Sequence, residues 1–254
     1  MNSLTKFTYP TLLSAAMLFP LNALADEWQF MIEPYLMGTN IEGDFGSGKI
    51  EQAEVDVDFG TILDNLDMAG MIHMEAISPG NIGLAFDYGF MDLGGGRSFE
   101  TGQELDAGVR QGVMEAQIFY RNQLQHASID YIAGVRWWDN DIDIDVDLPN
   151  LDQRLSASVE QDWVDFVVGL RWYSYLSENW TFELYGDIGG LDFASEFTSK
   201  VKIGLQWQMT DLLTLDMKYV ATWVDYETGS PGEPGYFSYD TVTHGPVLGL
   251  VFTF

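Results

Sequence analysis

The last strand-length segment of the chain alternates without a break. Pro246, Leu248, Leu250, Phe252 and Phe254 fall on one parity, and Val247, Gly249, Val251 and Thr253 on the other. Period two is the repeat of a β-strand, whose successive side chains point to opposite faces. The same alternation recurs near 27–38, 67–77, 82–93, 109–121, 128–141, 163–175, 180–190, 200–210 and 213–226, and with 242–254 this predicts ten strands. In each, one parity is apolar and free of charge. Ile82, Leu84, Phe86, Tyr88 and Phe90 are one such set, and Val164, Phe166, Val168, Leu170 and Trp172 another. A soluble antiparallel sandwich would alternate too, with its apolar faces packed inside. Three features favour apolar faces turned to lipid: aromatics gather near strand ends, strand lengths of about 11 residues suit a tilted membrane strand, and the connections alternate between short and long.

The connections set the topology. Short ones are Ser78-Pro79-Gly80-Asn81, 122–127, Leu176-Ser177-Glu178-Asn179 and Asp211-Leu212; long ones are 39–66, 94–108, 142–162, 191–199 and 227–241. In membrane barrels the short turns face the periplasm and the long loops face outward. The expected fold is all-β: a closed antiparallel up-and-down transmembrane barrel of ten strands with both termini periplasmic. Eight strands result if one pair is a protruding hairpin.

The remaining composition agrees with export. Residues 1–25 read as a cleaved signal peptide, with Lys6 in the positive region, an apolar stretch from Leu12 to Leu21, and Ala23-Leu24-Ala25 at the cleavage site. The barrel domain is then 26–254. After the signal, no apolar run reaches the ~18 residues of a membrane helix. The formal charge of −28, from 11 Lys and Arg against 39 Asp and Glu, argues against nucleic acid. With no Cys and three His, neither a disulfide framework nor a Cys- or His-rich metal centre is expected, and no cofactor.

Several segments resemble a known group. They are Asp165-Phe166-Val167-Val168-Gly169-Leu170-Arg171, Gly186-Asp187-Ile188-Gly189-Gly190, Val224-Asp225-Tyr226-Glu227, Tyr239-Asp240, and Gly245-Pro246 followed by Gly249 and Phe254. Pro34-Tyr35-Leu36 and Ile62-Leu63-Asp64-Asn65-Leu66-Asp67 add to them in the N-terminal half. The chain resembles a widespread family of Gram-negative outer-membrane barrel proteins, similar in plan to the OmpA- and OmpW-type small barrels. The final Phe252-Thr253-Phe254 looks like the C-terminal signature of such barrels. Departures are small: the Asp165 motif usually continues with Pro, and the Gly189-Gly190 pair with Phe. The family has no established reaction, so the resemblance implies location and fold. It also implies a setting of outer-membrane lipid and lipopolysaccharide, insertion by the barrel-assembly machinery, and a monomer.

The parity opposite the apolar sets carries the candidate site. Glu33, Glu75, Asp87, Glu115, Asp130, Arg136, Asp165, Arg171, Glu183, Asp187, Asp216 and Lys218 are expected to face the lumen, with His73, Arg121 and Lys202 beside them and Lys200 at the outer rim. A small barrel has a narrow interior, and charge buried there must be paired. The preferred reading is a salt-bridge network filling the lumen beneath acidic extracellular loops; the alternative is a narrow porin-like channel for small solutes. A charge is expected to be excluded at Leu170 on the lipid face and better tolerated at Val167 on the other.

Two acidic ladders, Asp139 to Asp147 at every second position and Glu51, Glu54, Asp56 and Asp58, each place carboxylates on one strand face. Lacking an Asp-x-Asp-x-Asp-Gly loop, they read as charged hairpins that resist edge pairing rather than as calcium sites. No Ser–His pairing of a hydrolase is expected: His73 has no inward Ser at its level, His126 sits in a turn and His244 near the outer rim. Ile62 to Leu66 reads as one amphipathic turn capping the barrel mouth.

Overall fold

The computed structural model describes residues 28–48, 50–98, 104–148, 153–233 and 235–254. The proposed signal peptide, 1–25, lies outside them. The chain forms twelve strands and one short helix. β1 (Gln29–Met37) leads into a hairpin of β2 (Asn40–Ser47) and β3 (Ile50–Val57), then into α1 (Phe59–Asp64). There follow β4 (Leu66–Ile77), β5 (Ile82–Ser98), β6 (Glu104–Gln123), β7 (Ala127–Leu148), β8 (Gln153–Tyr175), β9 (Trp180–Gly190), β10 (Phe197–Gln208), β11 (Leu213–Thr228) and β12 (Phe237–Thr253). β1 and β4 to β12 make a ten-stranded antiparallel barrel in sequence order, closed by β1 against β12. Where the closure is complete, from Gln29 opposite Ile77 to Pro34 opposite Ile72, no backbone edge is left for lipid to face.

The ten expected strands are present, and the short turns fall where the alternation breaks. The long connections differ from expectation. The stretches 94–108 and 142–162 are mostly strand, because β5 to β8 run on past the membrane-length core. The physical reason is in the sequence itself: Asp139, Asp141 and Asp143 keep alternating with Asn140 and Ile142, so the pleat continues after the outward residues turn from apolar to acidic. β8 has 23 residues, about twice what a membrane strand needs, so the excess stands beyond the bilayer. The stretch 39–66 holds the β2–β3 hairpin and α1, whose first turn is capped by the Asp58 carboxylate accepting from the Thr61 N–H.

The outward parity is exposed and apolar, with Leu84, Ile118, Phe166, Val168, Leu170 and Ile203 among its members. Trp180 and Trp207 stack at the end of the short turns, as an interfacial girdle requires.

The wall is not uniform. β1 pairs with β4 only as far as Pro34 opposite Ile72. Pro34 has no N–H to donate, which ends the ladder there. Past it, Tyr35 to Met37 stay on β12, the Gly38 N–H donates to the Pro246 carbonyl, and β2 continues along β12. Among the described residues, the β1 side of β4 from Leu66 to Met71 has no strand partner. A seam therefore opens in the wall between β1 and β4. α1 lies across its upper end, where Ile62 packs with Ile41 and Met91.

The inward parity is tightly filled. Val167 is 2 % exposed, and a Cβ on Gly189 would come within 2.8 Å of its Cγ1. The lumen at this level has no room for a long charged side chain, so the tolerance expected at Val167 is corrected.

Candidate functional site

Alternation delivers inward side chains row by row. One register row runs Glu33, His73, Asp87, Glu115, Arg136 and Asp165 across six neighbouring strands. A second runs Arg121, Asp130, Arg171, Tyr185 and Lys202. Opposite charges alternate along the second row, so Arg121, Asp130 and Arg171 pair along the wall. In the first row Asp87 stands beside Glu115, and bonds to other strands complete the neutralisation.

Three groups result. Toward the short-turn end, Arg121 clasps Asp130 with two bonds of 2.7 and 2.8 Å. Arg171 on β8 donates to the same carboxylate at 2.9 Å and reaches across to Glu75 on β4. The two guanidinium groups lie over the Phe119 and Tyr173 rings, 5.1 to 5.4 Å from the ring centres, a cation–π arrangement that strengthens when water is excluded. His73 bridges Glu75 and Asp87 at 3.0 Å each, and the Tyr35 hydroxyl donates to Asp87 at 2.7 Å.

The second group centres on Arg136, which is 0 % exposed. Its Nε donates to Glu115 at 2.7 Å, one terminal nitrogen to Asp187 at 2.6 Å and the other to Thr198 on β10 at 2.9 Å. Lys200 reaches Glu115 as well, and the Tyr185 hydroxyl donates to Asp187. In the third, Lys218 sits between Asp216 at 2.7 Å and Glu33 at 3.1 Å, while Gln206 donates to both Asp216 and Glu183 at 3.3 Å.

All twelve candidate lumen residues thus face the barrel interior, eleven of them buried and Lys218 half-buried, but not all are in ion pairs. Asp165 accepts from the Ser195 N–H at 2.8 Å, the Ser195 hydroxyl at 2.6 Å and the Trp163 indole at 3.2 Å. Its partners are neutral donors, so it pins the turn between β9 and β10 instead of joining the charge network. Lys200, expected at the outer rim, is buried within the second group.

Above these groups, away from the short turns, lie two features that patterning did not reveal. One is a chamber of about 110 Å³. Lys200, Lys202 and Lys218 line it on one side, and Met37, Met71, Met91, Val113 and Trp138 are among its other lining residues. The second is an aromatic roof. Trp163 stacks on Tyr226 at 4.0 Å between ring centres and beside Trp138 at 5.7 Å, with Phe237 and Tyr239 closing the cluster. The Gln111 amide ties the roof to the wall by donating to Asn140 and to the Tyr239 hydroxyl. The available signal was an aromatic on the inward parity near the outer end of predicted strands, at Trp138, Trp163 and Tyr226; Phe237 and Tyr239 become legible only once 237–241 is known to be strand.

On the outer face the acidic ladder of β3 is continued by its neighbours. Glu54, Asp44, Asp240 and Asp225 occupy one register row over β3, β2, β12 and β11. Asp225 lies one outward position beyond Trp223, on the outer side of the apolar band. Its carboxyl is raised above the usual range by partial burial and then by Asp240, Glu196 and Glu227. Arg110, itself exposed, stands near both Asp92 and Asp141. His244 accepts from the Tyr219 hydroxyl at 2.6 Å and approaches Glu42 at 3.3 Å.

No family model matches the chain, and no curated protein matches its sequence. Solved structures do resemble it. The outer membrane protease OmpT from Escherichia coli aligns with a TM-score of 0.51 at 10 % identity, over 90 % of this chain and 97 % of that one. The translocator domain of the autotransporter NalP from Neisseria meningitidis aligns with a TM-score of 0.49 at 11 % identity, over 92 % and 94 % of the two chains. At such identity the likeness is one of fold: the chain has the fold of bacterial outer-membrane β-barrel proteins.

Proposed function

We propose that the protein is a non-conducting outer-membrane barrel. Its lumen is sealed by ion pairs and aromatic stacking, and its acidic strand extensions form an interaction surface on the cell exterior. The observation that carries this is the set of bonds that cross the lumen: Arg171 on β8 to Glu75 on β4, and Arg136 on β7 to Asp187 on β9 and Thr198 on β10. Side chains that meet across the interior, at 0 to 5 % exposure for Arg136, Asp130, Glu115 and Arg171, leave no continuous aqueous path at that level. The roof around Trp163 closes the lumen a second time, nearer the exterior.

The reading assigns no reaction. Both ring nitrogens of His73 face carboxylates, Asp87 and Glu75, an arrangement suited to balancing charge rather than to activating a hydroxyl nucleophile. The exterior wall is acidic over four neighbouring strands, which suits cationic partners and, at the bilayer surface, cations that accompany lipopolysaccharide. The test is conductance. The refolded protein in a planar bilayer is expected to give no unitary steps. Reproducible steps with an ion preference would overturn the sealed-lumen reading in favour of a narrow porin-like channel.

A further inference from the structure

The sealed lumen leaves the chamber above the charge layer without a role. Its lining is uneven in a way that points to a ligand. On the β10–β11 side, Lys200 is engaged by Glu115 and Lys218 by Glu33 and Asp216. Lys202 differs. Among the described residues no carboxylate lies within ion-pair distance of it, and its Nζ rests over the Tyr185 ring at 5.0 Å. The one carboxylate lining the chamber, Asp87, is taken up by His73 and Tyr35. Lys202 is thus the chamber cation without an ion-pair contact among the described residues, and the chamber holds no free anion.

The other side of the chamber meets the seam. Tyr35, Met37 and Met71 line it there, and so does Phe90, whose parity otherwise belongs to the outer face. Phe90 stands opposite Gly70, an outward position without a side chain, where a Cβ would meet nothing within 4 Å on the lipid side. Around the mouth, Leu36, Phe59, Leu63 and Met68 are exposed apolar side chains. β10 stands across the barrel from β4 and β5, so Lys202 faces the opening from the far wall.

We infer that the chamber binds a single-chain amphiphile with a monoanionic carboxylate head. The ligand enters from the lipid side through the seam between β1 and β4, places its head on Lys202, and leaves its chain along Met37 and Met71 toward the seam. The volume decides the orientation. A cavity of about 110 Å³ is smaller than the ~150 Å³ that holds a benzene molecule, so it takes a head and the first few methylenes, and the rest of the chain must lie in the opening. One free ammonium matches one negative charge. A gap left by one missing strand pairing admits one acyl chain rather than two. This goes beyond the sealed-lumen reading, since axial conductance and lateral binding are read by separate experiments.

The test uses the refolded protein in phosphatidylcholine nanodiscs, with laurate as the probe and acetate and methyl laurate as comparators. Laurate is expected to bind at one saturable site, at least tenfold more tightly than either comparator. Lys202→Met should weaken laurate at least tenfold. Gly89→Leu should abolish binding by filling the chamber, because a Cβ there meets only Met71 and Tyr35 at 3.8 and 3.9 Å. Folding of each variant is checked by the shift in electrophoretic mobility between unheated and boiled samples, and a variant that misfolds is replaced by Lys202→Gln or Gly89→Val. Laurate carrying a diazirine at its methyl end should label Leu36, Met68 or Phe90. Equal laurate binding by the parent and both folded variants would overturn the site. Acetate binding as tight as laurate would overturn the role of the chain, and labelling confined to the roof residues Trp163 and Phe237 would overturn the lateral route.

Discussion

Replacing Arg136 by Met removes a charge from the middle of the lumen while keeping most of its bulk. Three hydrogen bonds are lost, two of them to carboxylates at 2.6 and 2.7 Å. Bonds to charged groups contribute about 1.5–3 kcal/mol each, so the gross loss is on the order of 3–6 kcal/mol before the carboxylates find other partners. They have some. Glu115 keeps Lys200, and Asp187 keeps the Tyr185 hydroxyl and the Lys200 N–H. The expected net loss is therefore near the lower end of the ~3–5 kcal/mol seen when one partner of a buried ion pair is removed. Arg136→Lys should lose less, since it keeps the charge and forfeits the fork. Urea unfolding of the parent, both single variants and the double variant Arg136→Met with Glu115→Gln measures this, the last being expected to recover part of the loss. Loss below about 1 kcal/mol for Arg136→Met, the range of solvent-exposed pairs, would mean that the lumen is wet and that its charges do not seal it.

Gly249 faces Glu33 so closely that a Cβ would come within 2.2 Å of the carboxylate; Gly249→Ala should cost about 1–3 kcal/mol as overpacking, and shortening the opposing side chain with Glu33→Asp in the same molecule should return part of it in the same urea experiment. Leu170→Arg should block folding into lipid vesicles, at a cost of about 2–4 kcal/mol near the midplane, whereas Leu170→Met should fold as the parent does; equal folding yields for Arg and Met would contradict the lipid face. Asp225 holds its proton more tightly folded than unfolded, so its favourable contribution is present below the unfolded value and is lost as pH rises through the folded one. Asp225→Asn should therefore slow protease cleavage of the outer wall at neutral pH and lose that advantage below about pH 4, and an advantage unchanged by pH would refute the cause given.

The parity of a strand is the most legible thing about this chain. It separates Leu170 from Arg171 and Tyr131 from Asp130 without any knowledge of the fold, and it places Arg136 and Asp187 on one side of the wall. It does not tell how far across the lumen a side chain reaches. That depends on strand number and stagger, which bring Arg171 to Glu75 over four strands and leave Asp165 beside Ser195 rather than beside a base. It is also blind to where a polar outward face ends a strand and where it merely leaves the membrane. The stretch 142–162 reads as loop because acidic residues are rare in strands of ordinary sheets, yet it continues the pairing of β7 with β8 beyond Asp141. Part of the roof is hidden in the same way, since Phe237 and Tyr239 lie in the stretch 227–241 that reads as loop but begins β12. The seam was within reach of the sequence, since Pro34 inside a strand pattern announces a missing donor, but which neighbour would be lost required the register of β1 on β12.

The acidic outer wall and the seam share a border. Above Gly38 the place of β1 is taken by β2, and β3 pairs with β2 on the side where β4 would otherwise stand. Among the described residues β3 is therefore a free edge over the opening. A free edge next to an unpaired stretch of β4 invites two outcomes: it could accept a strand from another chain, or it could slide down and zip the seam shut. Both require bringing backbone against Glu54 and Asp56. Glu54 already stands beside Asp44 and Asp56 beside Glu42, and like charges directly opposite destabilise a pairing. Another acidic strand added there would extend the row and its repulsion, and moving β3 toward the bilayer would carry those carboxylates into lipid. The repulsion within the row is tolerable because β11 and β12 are held by an unbroken ladder from Leu213 opposite Phe252 to Thr228 opposite Phe237. The carboxylates thus protect the edge from pairing beside the opening between β1 and β4, and the charge of the exterior and that opening belong to one arrangement.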